Sequence, residues 1–123
     1  RFFLLAYHDA VSLGIGILDR LHKILISLEQ AGVRPVIIFQ SDIVSQFSTT
    51  VVTIPLTTNQ RRASLPICVS IEQGDGGLSQ ASVALCFQMR VLDKSRLIRR
   101  LGLLKSETIL QLENVVLVTL GYE

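Results

Sequence analysis

The sequence predicts a mainly β domain with helices, one of them closing the chain at its C-terminus. Three observations predict it. Residues 34–40 and 49–57 are rich in apolar and β-branched side chains, the composition of strands. Residues 82–93 alternate, with Val83, Leu85, Phe87, Met89 and Val91 on one face and Ala84, Cys86, Gln88, Arg90 and Leu92 on the other. Residues 106–121 carry apolar side chains at helical spacing between a serine suited to an N-cap and a glycine suited to a left-handed stop.

The elements follow in order. Ile17, Leu18, Leu21, Ile24, Leu25 and Leu28 fall at helical spacing, which predicts an amphipathic helix over 17–28. Residues 2–7 suit either a short strand or a disordered apolar end. Residues 34–40 form a continuous apolar run, expected of a strand buried on both faces. Ser41 or Asp42 can cap a single helical turn ending at Phe47. Pro55, inside the next strand, marks an edge or a bulge. Residues 58–65 form a polar loop carrying Arg61 and Arg62, and residues 66–71 a half-buried strand. Residues 74–77 (GDGG) are a turn, because glycine readily takes positive φ. One long strand is expected over 82–93 and another over 97–104. In the last helix Ile109, Leu112, Val116 and Leu120 are expected close to one face.

With 123 residues the chain suits one domain, 1–123, able to bury roughly two-thirds of its unfolded surface. Hydrophobic residues at 49% and charged ones at 18% exclude a disordered chain. A mean hydropathy of +0.48 points to apolar surface covered by a second copy or a partner. The greasiest stretch, residues 2–18, is broken by His8 and Asp9 and lacks the order of a signal peptide. A cytoplasmic protein is expected, with no membrane partner. Cys68 and Cys86 are expected to be reduced core thiols. No Cys/His spacing supplies the four ligands of a zinc site, so neither a metal nor a cofactor is expected. The net charge of +2 says little, but residues 90–105 hold six cations against Asp93 alone. Such a cluster suits a polyanion, whose counterions Arg and Lys replace; its ordinary alternative is a solvated face.

The string Glu29-Gln30-Ala31-Gly32-Val33-Arg34-Pro35, then an apolar strand and Ser41-Asp42, resembles the opening signature of MazF/PemK-type toxins. Residues 50–58 (TVVTIPLTT), Gly76-Gly77-Leu78, residues 88–97 (QMRVLDKSRL) and Leu101-Gly102 follow in the family's order and spacing, so the resemblance spans about 29–121. It implies a small half-open β-barrel of the Src-homology-3-like kind, acting as a homodimer. It also implies metal-free, sequence-specific cleavage of single-stranded mRNA and inhibition by a cognate MazE-like antitoxin. Residue by residue, Arg34 matches the catalytic arginine, Thr50 the Ser/Thr that works with it, and Glu29 the acidic residue before it. Gln88 and Arg90 match the pair on the long strand. Arg61, Arg62, Lys94 and Arg96 complete the expected RNA contacts.

The chemistry suits these side chains. RNA carries its own nucleophile, the 2′-hydroxyl, so an enzyme must neutralise charge on the phosphate and assist proton transfer. Arg34 offers a planar fork of donors that stays charged at any relevant pH. Thr50 can donate to the same phosphate, and Glu29 is the candidate base if its pKa is raised. This reading needs the Thr50 hydroxyl beside the guanidinium, and an open groove next to them. His8 and His22 lie outside the matched region. Residues 1–28 do not resemble the family's first strand and loop, and the switch at Leu28–Glu29 is what a shifted reading frame or a fused fragment would produce. Resequencing the coding region tests that hypothesis, and an uninterrupted frame in independent isolates would refute it. Two other readings remain. One is a CcdB-like toxin that poisons gyrase, and the other an inactive relative that only binds an antitoxin.

Overall fold

The computed structural model describes residues 3–7, 23–27 and 34–122. Within them lie strands β1 (Phe3–Tyr7), β2 (Lys23–Ser27), β3 (Arg34–Ile38), β4 (Thr50–Thr57), β5 (Cys68–Ile71), β6 (Ser82–Leu85), β7 (Arg90–Asp93) and β8 (Ile98–Leu103). Helix α1 spans Asp42–Phe47 and helix α2 spans Ser106–Thr119. The strands form one sheet in the order β5-β6-β4-β3-β2-β1-β8, with β7 paired to β4.

The N-terminal region does supply strands to the sheet. β1 runs antiparallel to β8 and parallel to β2, and β2 runs antiparallel to β3. The helix expected over 17–28 is therefore corrected at Lys23–Ser27, while residues 17–22 and 28 lie outside the described residues. Three consecutive apolar residues, Ile24 to Ile26, fit a strand period as well as a helical one, and pairing along β3 decides between them.

β4 organises the rest. On one side β3 lies antiparallel, Val36 opposite Pro55 and Ile38 opposite Thr53. On the other side β7 covers its first half, from Thr50 opposite Asp93 to Thr53 opposite Arg90. β6 covers its second half, with Leu56 opposite Ala84 and Thr57 opposite Val83. Between these ladders Ile54 and Pro55 of β4 face five residues of the returning chain, Leu85 to Met89. The single long strand expected over 82–93 is thus two strands separated by a three-residue expansion, folded as a tight turn at Cys86–Gln88. Alternation fails there, because Ser82 through Cys86 are all buried whereas Val91 is exposed. Pro55, which has no N–H, sits where the ladder is interrupted, as its place in the sequence suggested.

The main core joins Ile37, Ile54, Leu56, Ile71, Cys86 and Leu112, so α2 packs against the β5–β6 hairpin and the 86–88 turn. Thr108, Leu112 and Val116 are the buried line of α2, and Leu120, expected there, is exposed. Gly121 ends the helix at φ +91°, with Tyr122 N–H donating to Leu117 O at 2.8 Å, as expected. The other end differs. Ser106 is the first helical residue, and the cap comes from Asp75 of the GDGG turn. Its buried carboxylate accepts from Lys105 N–H at 2.9 Å and from Thr108 Oγ1 at 2.5 Å. An anion at that end meets the positive pole of the helix. α1 is capped as expected, Ser41 Oγ accepting from Val44 N–H at 3.3 Å.

The same turn presses on β8. A Cβ on Gly102 would stand 2.7 Å from Gly76 O, a backbone atom that cannot move aside. Gly102→Ala should therefore lower stability by about 1–3 kcal/mol, the usual cost of overpacking. Urea unfolding of the two proteins measures it.

Cys86 is fully buried and its thiol is pushed up to about 12, by loss of solvent first and by Cys68 second. In the unfolded chain the thiol ionises near its ordinary value of 9.0, so the unfolded state releases its proton first. This contribution to stability is complete below that pH and is lost as pH rises toward the folded value. The urea midpoint should fall between about pH 9 and 11, and fall less in Cys86→Ala.

Candidate active site

Arg34 opens β3. The following proline disfavours helical backbone at Arg34 and holds it extended, while Val36, Ile37 and Ile38 anchor the strand in the core. The arginine itself is exposed, and among the described residues its guanidinium has no hydrogen-bonding partner. Continuing the β3–β4 ladder two residues beyond Val36–Pro55 puts Arg34 opposite Thr57, the last residue of β4.

Arg34 and Thr57 form a shared wall between two cavities. The first, of about 400 Å³, is also lined by Arg62, Gln88 and Arg90. Each is brought there by a separate device. The expansion at Cys86–Gln88 is anchored by buried Cys86 and leaves Phe87 and Gln88 exposed, and Arg90 starts β7 just beyond it. Arg62 belongs to a tight turn over Gln60–Ser64, held by Ala63 against a small second core of Cys68, Val83 and Leu85. That turn opens with Asn59 Oδ1 accepting from Arg61 N–H at 3.1 Å. Three guanidiniums thus line one cavity, with no carboxylate among the described residues around it. Thr57 Oγ1 accepts from Asn59 N–H at 3.1 Å, which leaves its own proton to donate.

Of the residues expected from sequence, Arg34, Arg62, Gln88 and Arg90 come together. Thr50 does not. It lies seven residues along β4 from Thr57, roughly 23 Å at strand spacing. Its hydroxyl pairs with Ser48 Oγ at 3.0 Å. Lys94 and Arg96 share that distant end: Lys94 N–H donates to Thr49 O at 2.9 Å and its Nζ donates to Ser45 O. Arg61 is exposed on the Gln60–Ser64 turn and lines neither cavity. Asp93 accepts from Ser95 N–H at 2.9 Å, a bond that holds its carboxyl below the usual range. Glu29 lies outside the described residues.

The residue that the structure sets beside Arg34, and that the sequence reading did not single out, is Thr57. A signal for it was present: neighbouring antiparallel strands set the first residue of one against the last of the other, and Arg34 begins its strand. The hydroxyl beside Arg34 therefore belongs near the end of TVVTIPLTT and not at its start. The expected pairing of Arg34 with Thr50 is therefore not found, and the hydroxyl that the structure sets beside Arg34 is that of Thr57.

Residues 24–120 match the family described as PemK-like, MazF-like toxin of type II toxin-antitoxin system. The chain belongs to that family. The match begins within β2, a few residues ahead of the Glu29 boundary read from motifs alone. An endoribonuclease MazF of Staphylococcus epidermidis is 38% identical over 93 residues, covering 76% of this chain and 78% of that protein. Among solved structures, Mycobacterium tuberculosis toxin MazF-mt6 superposes with a TM-score of 0.70 at 26% identity, covering 81% of this chain and 97% of that one. A mycobacterial endoribonuclease in complex with its cognate antitoxin has the same fold, with a TM-score of 0.72 at 21% identity over 81% and 92% of the two chains. In this toxin-family chain, no described helix is long and apolar enough to cross a membrane.

Proposed function

We propose that this chain is the toxin of a type II toxin–antitoxin system, a metal-independent, sequence-specific endoribonuclease that cuts single-stranded mRNA in the cytoplasm. The observation that carries the reading is the groove where Arg34 and Thr57 meet Arg62, Gln88 and Arg90. The 2′-hydroxyl attacks the adjacent phosphorus, and the 5′-oxygen of the next nucleotide leaves. Negative charge builds on the non-bridging oxygens, where Arg34 and Arg90 donate charge-assisted hydrogen bonds and Thr57 adds a neutral one. Arg62 and Gln88 hold the flanking backbone. No arginine can accept the 2′-proton near neutral pH. Glu29 is the proposed base.

Two protein partners belong to the same proposal. An antitoxin is supported by the mycobacterial relative held with its own. A second copy of the chain is supported by the exposed apolar residues of α2, Leu110, Leu117 and Val118, with Leu120 and Tyr122 just beyond.

Incubation with single-stranded RNA in excess chelator tests the activity. Cleavage should fall about 10²-fold or more in Arg34→Ala and Thr57→Val, and stay at the parent rate in Thr50→Val. Intact RNA with the parent protein would instead favour a gyrase poison or an inactive relative. For the second copy, Leu117→Asp should convert a dimer to monomer by sedimentation equilibrium, and a parent protein already monomeric at micromolar concentration removes that part of the proposal.

A further inference from the structure

Resting on that reading, we propose that the second cavity beside Arg34 reads an unpaired base, with Gln80 and Ser79 as specificity-determining residues. The cavity measures about 420 Å³, the scale of a small-ligand site, and shares Arg34, Pro35, Leu56 and Thr57 with the first. An RNA chain whose phosphate sits at that shared wall has neighbours on both sides of it.

The two sides differ in charge. Arg62 and Arg90 line only the first cavity, whereas in the second Arg34 is the sole charged group among the described lining residues. Phosphates are held far better where guanidiniums replace their counterions, so the backbone belongs to the first side. The second side offers what a base needs. Leu56, Leu78 and half-buried Leu101 line it with apolar atoms, and exposed Ser79 and Gln80 supply neutral donors and acceptors at its mouth. An amide presents a donor and an acceptor side by side, the pattern that reads a base edge.

The loop carrying these groups is fixed in advance. Ser82 Oγ donates to Gln80 O at 3.1 Å, and Gln60 Nε2 donates to Ala81 O at 3.2 Å. Gly74 N–H donates to Leu78 O at 2.8 Å. These bonds use the loop's backbone and leave the Gln80 amide without a partner among the described residues. A rigid mount for an uncommitted amide is the arrangement that discriminates, since a wrong base leaves polar groups unpaired.

The test is cleavage of a pool of single-stranded RNAs randomised around the cut, read by sequencing the ends. Gln80→Ala should reduce the preference at one position by about tenfold or more, and Ser79→Ala should alter the same position. Arg62→Ala should instead slow all sequences alike and weaken the salt dependence. A preference profile identical in parent and Gln80→Ala overturns the inference while leaving the cleavage reaction standing. Anisotropy with short 2′-deoxy-substituted oligonucleotides separates the two failures. If the parent binds these oligonucleotides but leaves the all-ribose pool uncut, the nuclease reading falls, and a base preference that Gln80→Ala abolishes still supports this cavity's role. Binding without any base preference overturns it.

Discussion

Strand β4 carries two ladders on one edge that are out of step by three residues, and the candidate groove exists because of that mismatch. β7 and β6 are one returning stretch of chain, yet each must match β4 in its own register. The surplus residues cannot lie flat. They fold outward at Cys86–Gln88, and burial of the thiol at their base stops them from flattening back. On the opposite edge β3 has no such offset, so Arg34 arrives beside Thr57 by simple counting. A regular sheet would bury or disperse these groups, whereas the irregular one gathers them on one face.

How far this could be read from the sequence varies by element. Strands β3 and β4, the GDGG turn and helix α2 were legible, because each depends on local preference: β-branched runs, glycines at positive φ, and a glycine stop at residue 121. Arg34 was legible through its motif. Thr57 required knowledge of which strand lies beside β3 and in what register, a non-local fact. The break inside 82–93 was hidden for a related reason. Its composition alternates like a strand, and only competition between two partner strands reveals that alternation must fail. The stretch 23–27 is the reverse case: a helical pattern too short to resist an available strand edge.

Support for the groove comes from places with no chemistry of their own. Asp75 ties the GDGG turn to the start of α2, and Gly77 and Gly102 let that turn touch β8 backbone to backbone. The turn in turn steadies the loop around Gln80. On the other flank, Ala63 and Ile67 lean on Cys68, Val83 and Leu85, and Arg62 is carried by that small cluster. Burial raises the Cys68 thiol while the positive charge of Arg62 draws it back, a sign of how near the guanidinium lies. Rigid scaffolding on both flanks lets exposed side chains keep fixed positions.

Three guanidiniums line one small cavity. A polyanion that binds this folded groove and not the unfolded chain stabilises the fold by mass action, so occupancy and folding stability are linked. An acidic inhibitor and a nucleic acid would then compete for the same cations, and whichever wins also holds the fold more tightly. For a molecule of this family, being restrained and being stabilised are physically the same event.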